Sequence, residues 1–276
     1  MSAFTVACVQ LNAGGDMQAN IAAATAAVAE AARRGADLIA LPENVVLMAE
    51  TTKDIPHQAF PEDAHAGIAA LRDAARRAHR WVLAGSFAVR RDDGKIANRL
   101  LLLNPEGAVT ARYDKIHLFD VDLPDRKYRE SETFGAGADA VVADLPWLKL
   151  GLSVCYDVRF PHLYRALAKA GAGLLAVPSA FTEITGTAHW HVLLRARAIE
   201  TGCFVVAPAQ TGVHPGGRRT YGHALIVAPW GEVLADAGDE PGIVTATIDP
   251  ARVAEARGRI PALAHDRPFN VRGDVG

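Results

Sequence analysis

Three short segments of the 276-residue chain end apolar, strand-like runs in side chains that do chemistry. Leu150-Gly151-Leu152-Ser153-Val154 stops at Cys155, and Tyr156-Asp157-Val158-Arg159-Phe160-Pro161 follows at once. A doubly covered α/β protein places a nucleophile there, at the carboxyl end of a buried strand just before the next helix. A thiol needs a base and a group that stabilises an oxyanion. Leu38-Ile39-Ala40-Leu41-Pro42 presents the carboxylate of Glu43, and Tyr113-Asp114 leads into the ammonium of Lys115. Partial burial is expected to raise the pKa of Glu43 and make it a usable base. The amides of a helix after Cys155 are expected to favour the thiolate.

Each residue alone also fits a structural role. A cysteine packs as a small hydrophobe, Glu43 fits a salt bridge or helix cap, and Lys115 fits solvated charge. Glu130, in Tyr128-Arg129-Glu130-Ser131-Glu132, is able to hold the ammonium; surface charge is the other reading for Glu130 and Glu132. Three such segments in this order point to an active site. Cys8 and Cys203 lie inside apolar strands and read as core.

Rival constellations fit less well. Gly151-Leu152-Ser153-Val154-Cys155 approaches the serine elbow G-x-S-x-G, but its last position is cysteine and Ser153 would face the core. His189 and His191 point apart on a helix, without an acidic or third histidine partner four residues on, so no metal is expected. Gly135-Ala136-Gly137 lacks the context of a dinucleotide loop, and there is no phosphate-binding P-loop.

The elements that position these residues alternate. Strands are expected at 4–11, 37–41, 81–87, 148–154, 174–178, 203–207, 224–228 and 242–248. A hairpin turns at Asn104-Pro105-Glu106-Gly107. Helices are read from Ile21 to Ala31, Ile68 to Ala78, Leu163 to Ala170, His189 to Thr201 and Pro250 to Arg259. The stretch from Lys115 to about Gly137 reads as a long functional loop. Too many strands lack a crossover helix for a single Rossmann sheet, so one α/β domain with two sheets fits, over residues 1–276, with an extended tail after about 261.

Half the residues are hydrophobic and the formal net charge is −2, which gives no support to nucleic-acid or anionic-membrane binding. The arginine pairs at 33–34, 76–77 and 218–219 read as solvated charge. Three cysteines without C-x-x-C spacing form neither a disulfide framework nor a zinc site. No segment reaches about 18 uninterrupted apolar residues, and the N-terminus enters a strand directly. A reduced cytoplasm is the expected location.

Glu43, Lys115 and Cys155 in these settings resemble the Glu-Lys-Cys triad of the nitrilase superfamily of carbon–nitrogen hydrolases. The resemblance runs from Val6 to Pro261, and Cys155-Tyr156-Asp157-Val158-Arg159-Phe160 is similar to the deaminated glutathione amidase and omega-amidase branch. Thr187 and Ala136 depart from it, each standing where a proline is usual. The resemblance implies an α/β fold of the four-layer α-β-β-α sandwich type, a homodimer or higher homo-oligomer, and no cofactor or metal. It implies an amidase acting on a small carboxylate such as deaminated glutathione or a 2-oxo acid omega-amide, through a thioester. Nitrile or N-carbamoyl hydrolysis by the same triad, or an inactive scaffold of this fold, are the alternatives.

In that reading Glu43 is the base, Cys155 the nucleophile, and Lys115 with the Tyr156 N–H the oxyanion site, supported by Glu130. Arg159, Phe181, His189 and Trp190 are expected at the substrate pocket. Arg159, Arg195 and Arg197 are expected to clamp a substrate carboxylate, so that a charged omega-amide reacts faster than a neutral one.

Overall fold

Side-chain parity along the first strand sets the layering. Val6 and Cys8 point one way and Ala7 and Val9 the other, and all four are buried, so their sheet is covered on both faces. The computed structural model describes residues 2–124 and 126–273. Its strands are β1 (Phe4–Leu11), β2 (Leu38–Ala40), β3 (Trp81–Arg90), β4 (Ile96–Leu103), β5 (Val109–Asp114), β6 (Asp120–Asp122), β7 (Lys127–Arg129) and β8 (Val142–Asp144). They continue with β9 (Lys149–Leu152), β10 (Ala172–Ala176), β11 (Phe204–Ala207), β12 (Ala209–Val213), β13 (Arg219–Tyr221), β14 (Leu225–Val227), β15 (Val233–Asp236) and β16 (Gly242–Ile248). The helices are α1 (Met17–Arg33), α2 (Ile55–Gln58), α3 (Ala66–Ala78), α4 (Pro161–Lys169), α5 (Glu183–Thr201) and α6 (Ala251–Arg259).

One sheet runs β13-β12-β1-β2-β3-β4-β5, with β16 also antiparallel to β1; the other runs β15-β14-β11-β10-β9-β8. Ala7, Val9, Ile39, Leu41 and Val82 pack outward on Val28, Ala31, Leu71 and Ala75 of α1 and α3. Val6, Cys8, Leu38, Ala40 and Leu100 join the cluster that contains the second sheet. There, a Cβ added to Gly151 would stand 3.1 Å from Leu167 of α4, so Leu150 and Leu152 face the first sheet. α4 and α5 cover the far side. The result is the expected four layers, α-β-β-α.

Several boundaries differ from the sequence expectation. The segment after Lys115 contains the hairpin β6–β7 and a turn over Glu130–Glu132, elements too short and polar for a periodicity to show. α5 starts at Glu183, six residues before the expected His189. Its first turns hold Thr185, Gly186 and Thr187, poor helix formers by propensity. Gly186 is required there because an added Cβ would lie 2.3 Å from Tyr221 Cβ. β12 and β13 escaped notice for the same reason as the hairpin: they are short and rich in Gly, Thr and Arg.

Two glycines place the strand ends that matter. Gly85, at φ 69°, interrupts the register of β3, and a Cβ there would come 2.1 Å from the Pro42 carbonyl beside Glu43. The N–H of Gly137 donates to Lys115 O at 2.9 Å, and a Cβ there would meet Asp114 O at 2.1 Å. Beyond α6 the chain lies along α4, where Arg165 donates to Ala262 O (3.0 Å) and Asp266 (3.2 Å).

Candidate active site

Pro42 ends β2, and Glu43 turns inward until only 3% of it is exposed. Its Oε1 accepts from Lys115 Nζ at 3.0 Å and from Asn98 Nδ2 at 2.9 Å, and its Oε2 accepts from the Ala180 N–H at 2.8 Å. Lys115, 2% exposed, also donates to both oxygens of Glu130, at 2.8 and 3.1 Å. Glu130 in turn accepts from the Phe119 N–H at 2.6 Å and from Asn98 at 3.2 Å. Buried charges persist only when paired and hydrogen-bonded, and this ammonium is held between two carboxylates that are themselves held.

Cys155 follows at the far side of the same cluster. It adopts φ 49°, a left-handed conformation costly for a side chain with a Cβ. The strain is held by the Cys155 N–H donating to Pro178 O at 3.0 Å and by the short turn Cys155–Arg159. Asp157, fully buried within that turn, accepts from the Val154 N–H (2.8 Å), the Tyr113 hydroxyl (2.7 Å) and the His117 N–H (3.1 Å). The strand leading to Lys115 and the turn bearing Cys155 are therefore fastened to one carboxylate.

The electrostatics correct two expectations. Burial alone would raise the pKa of Glu43, but the charge and hydrogen bond of Lys115, the charge of Arg218 and the Ala180 N–H hold it below its ordinary 4.5. Glu43 is thus held as a carboxylate. The Cys155 thiol moves the other way, well above 9.0, because burial and the Glu43 carboxylate outweigh the pull of Lys115. The α-helix expected to favour the thiolate, α4, begins only at Pro161, after the short turn Cys155–Arg159. The thiol is thus held protonated. For Lys115, burial opposes the charge, yet Glu130 and Glu43 keep the ammonium firmly protonated. Cys8 is an inert contrast, its thiol pushed up to about 12 by burial.

Glu43, Lys115, Glu130 and Cys155 share a cavity of about 480 Å³, whose wall includes Tyr156 and Phe181. Three other expected pocket residues lie elsewhere. Trp190 is wholly buried under α5, with its indole N–H on His223 O at 2.8 Å. His189 is exposed and faces Arg159, whose guanidinium packs on two rings of the cavity wall, 5.1 Å from the Phe181 ring centre and 5.9 Å from that of Tyr156. The arginine clamp is likewise not formed. Arg197 donates to Val158 O (2.8 Å) and Glu200 (2.8 Å), and Arg195 to Gly231 O (2.8 Å). The helical period carries these side chains to the packed and outer faces of α5.

Sequence reasoning missed Asn98, the Ala180 N–H and Arg218. Asn98 sits mid-strand in Ile96–Leu103, where only a polar residue among apolar neighbours marks it. Arg218 lines the cavity rather than standing in solvent. His191 also gains unforeseen partners: Asp236 is 2.9 Å from its Nε2 and 2.9 Å from His223 Nδ1, outside the cavity.

The profile of the carbon–nitrogen hydrolase family matches residues 5–258. The chain belongs to that family. It is 43% identical to a deaminated glutathione amidase of Synechocystis sp. over 96% of this chain and 98% of that one. An omega-amidase of Bos taurus is 35% identical over 97% of this chain and 96% of its own. Among solved structures, a Nesterenkonia sp. AN1 amidase superposes with a TM-score of 0.79 at 28% identity, covering 94% of this chain and 98% of that one. That structure holds acrylamide added to the active-site cysteine. The chain is thus a nitrilase-superfamily hydrolase acting on non-peptide carbon–nitrogen bonds.

Proposed function

We propose that this protein is a cysteine-dependent amidase of a small carboxylate, such as deaminated glutathione or a 2-oxo acid omega-amide. The observation that supports it most is the Lys115 ammonium, fixed between Glu43 and Glu130 in the cavity that Cys155 enters.

In this reading the Glu43 carboxylate takes the thiol proton as Cys155 Sγ bonds to the amide carbon. The carbonyl electron pair moves to oxygen, where Lys115 and the Tyr156 N–H stabilise the charge. A rested thiol and a more acidic carboxylate are mismatched, and the oxyanion contacts offset that mismatch at the moment of attack. The protonated Glu43 then gives its proton to the departing nitrogen, and the carbon–nitrogen bond breaks to leave a thioester. Glu43 next removes a proton from water, which attacks the thioester; collapse frees the acid and returns the proton to sulfur. Glu130 positions Lys115, and Asn98 spaces the two carboxylates.

The protein acts in the cytoplasm as a homodimer or larger assembly. Ile184, Val192 and Ile199 leave an exposed apolar stripe on α5, with Trp230 and Ile260 also exposed, which favours a partner copy. No helix among the described residues is long and apolar enough to cross a membrane.

The test is a panel of omega-amides, deaminated peptides, nitriles and N-carbamoyl acids, scored for ammonia, Cys-Gly and carbon dioxide. Release of one nitrogenous fragment and the free acid from an amide is expected. Turnover of nitriles or N-carbamoyl acids alone contradicts the amidase reading.

A further inference from the structure

An amide in this cavity needs a second handle, because one carbonyl does not fix the orientation of a flexible chain. The arginines of α5 do not supply it. Arg218 meets the requirement on three independent counts.

Its position is built, not incidental. The segment before it is closed by the His214 N–H on Arg218 O (2.8 Å) and the Gly217 N–H on His214 O (3.1 Å). The buried His214 ring is fixed between Ala13 O (2.8 Å) and Thr220 Oγ1 (2.6 Å). The guanidinium lines the cavity, donates from Nη2 to Ala180 O at 2.8 Å, and lies 5.8 Å from the Tyr128 ring centre.

Its bonding is incomplete. Nε is buried with no acceptor, and no carboxylate stands within ion-pair distance of Arg218 among the described residues. The neighbouring cations differ: Lys115 is held by Glu43 and Glu130, and Arg129 by Asp122 at 2.6 Å. Arg126 is exposed and donates to Gly216 O. Lys127 lines the wall as well but is exposed, and Glu50 and Glu132 are acidic, which makes Arg218 the buried place where an anion is welcome. A buried guanidinium N–H without an acceptor is costly, and a carboxylate is its natural partner.

Its relation to the base is direct. Ala180 donates its N–H to Glu43 Oε2 and offers its carbonyl to Arg218, so one residue bridges the two charges.

We propose that Arg218 anchors the carboxylate of the substrate, and that the site thereby selects amides bearing an acid at the far end over neutral amides. The proposal rests on the amidase reading and names the residue behind its substrate class. It also adds a mechanism. Free Arg218 draws down the basicity of Glu43. A carboxylate bound to Arg218 cancels that pull, so an acidic substrate strengthens its own general base and gains in kcat as well as in KM.

The test compares glutaramate with its methyl ester, which keeps the carbon chain, is neutral and is one methyl longer, on the full-length wild type, Arg218→Leu and Arg218→Lys. For the wild type, kcat/KM is expected to favour the acid about 10–100-fold, as one charge-assisted contact gives. Arg218→Leu is expected to bring the acid-to-ester ratio to within about threefold, with Arg218→Lys between the two. The acidic limb of the ester's pH profile should move up in Arg218→Leu, which a purely structural role would not do. If the Leu variant does not fold, the intermediate ratio of Arg218→Lys decides alone. A ratio unchanged in the variants, or equal rates for acid and ester in the wild type, overturns the anchor and leaves the amidase standing. If the wild type hydrolyses no amide in the panel, the amidase reading falls and the anchor with it.

Discussion

The Tyr113 hydroxyl donates to Asp157 Oδ2 at 2.7 Å, joining the strand that ends in Lys115 to the turn that begins at Cys155. Both side chains are buried, and the carboxylate has three further polar contacts, to Val154 and His117. Lys115 and Cys155 thus share one fastening. Tyr113→Phe is expected to cost about 1–3 kcal/mol, because it leaves a buried acceptor short of a donor. It should also lower kcat more than it changes KM. Thermal melts with steady-state kinetics check both; a variant with normal kcat would mean that Asp157 holds the turn without Tyr113.

Lys115→Arg should be nearly as damaging as Lys115→Ala. The ammonium is a point charge fitted between Glu43 and Glu130 at 3.0 and 2.8 Å, and a planar guanidinium is wider than that space. Loss of such an oxyanion contact typically costs about 100–1000-fold in turnover. Single-turnover rates on purified variants measure it, and an active Arg variant would remove Lys115 from the oxyanion role.

Cys203→Ala should lose some stability and little activity. Its thiol lies at 3.2 Å from Ala172 O and beside Arg257, at the buried start of β11 and away from the cavity. Urea unfolding and kcat on the same preparation make the comparison. A large loss of kcat with an unchanged midpoint would contradict the assignment of the nucleophile to Cys155 alone.

The pH dependence follows from the directions of the shifts. Glu43 has a folded pKa below 4.5, so its contribution to stability is full above that value and is lost as pH falls through the lower folded value. Cys155 titrates above 9.0 in the folded state, so its buried thiol stabilises below that pH and the benefit fades as pH rises beyond it. The active form, carboxylate with thiol, therefore spans a broad plateau. kcat/KM should be level between about pH 5 and pH 8, and a narrow bell centred near neutrality would show that other groups control the reaction.

Glu43 and Cys155 were legible because each breaks an apolar run that ends a buried strand, and Lys115 because it follows a strand end; all three turn inward and are buried. Glu130 was legible only as a carboxylate near Lys115 in sequence. Asn98 was not, since its role depends on two carboxylates that fold toward it from 55 and 32 residues away. Arg218 and Arg219 look alike in Gly-Gly-Arg-Arg, yet the latter pairs with Glu183 on the surface and the former enters the cavity. Arg218 ends the turn before β13 and Arg219 begins that strand, and a boundary at a three-residue strand gave no sequence signal. Trp190 and Arg197 misled because both lie on the packed face of α5, away from the cavity.

The central claim is that Cys155 forms a thioester with the acyl part of an amide. Rapid quench of the enzyme with a reactive omega-amide, followed by intact-mass and peptide mass spectrometry, tests it most directly. The account predicts a mass gain equal to the acyl group, mapped to the peptide bearing Cys155 and absent from Cys155→Ala. Turnover without any adduct, or an adduct on Cys8 or Cys203, would contradict it.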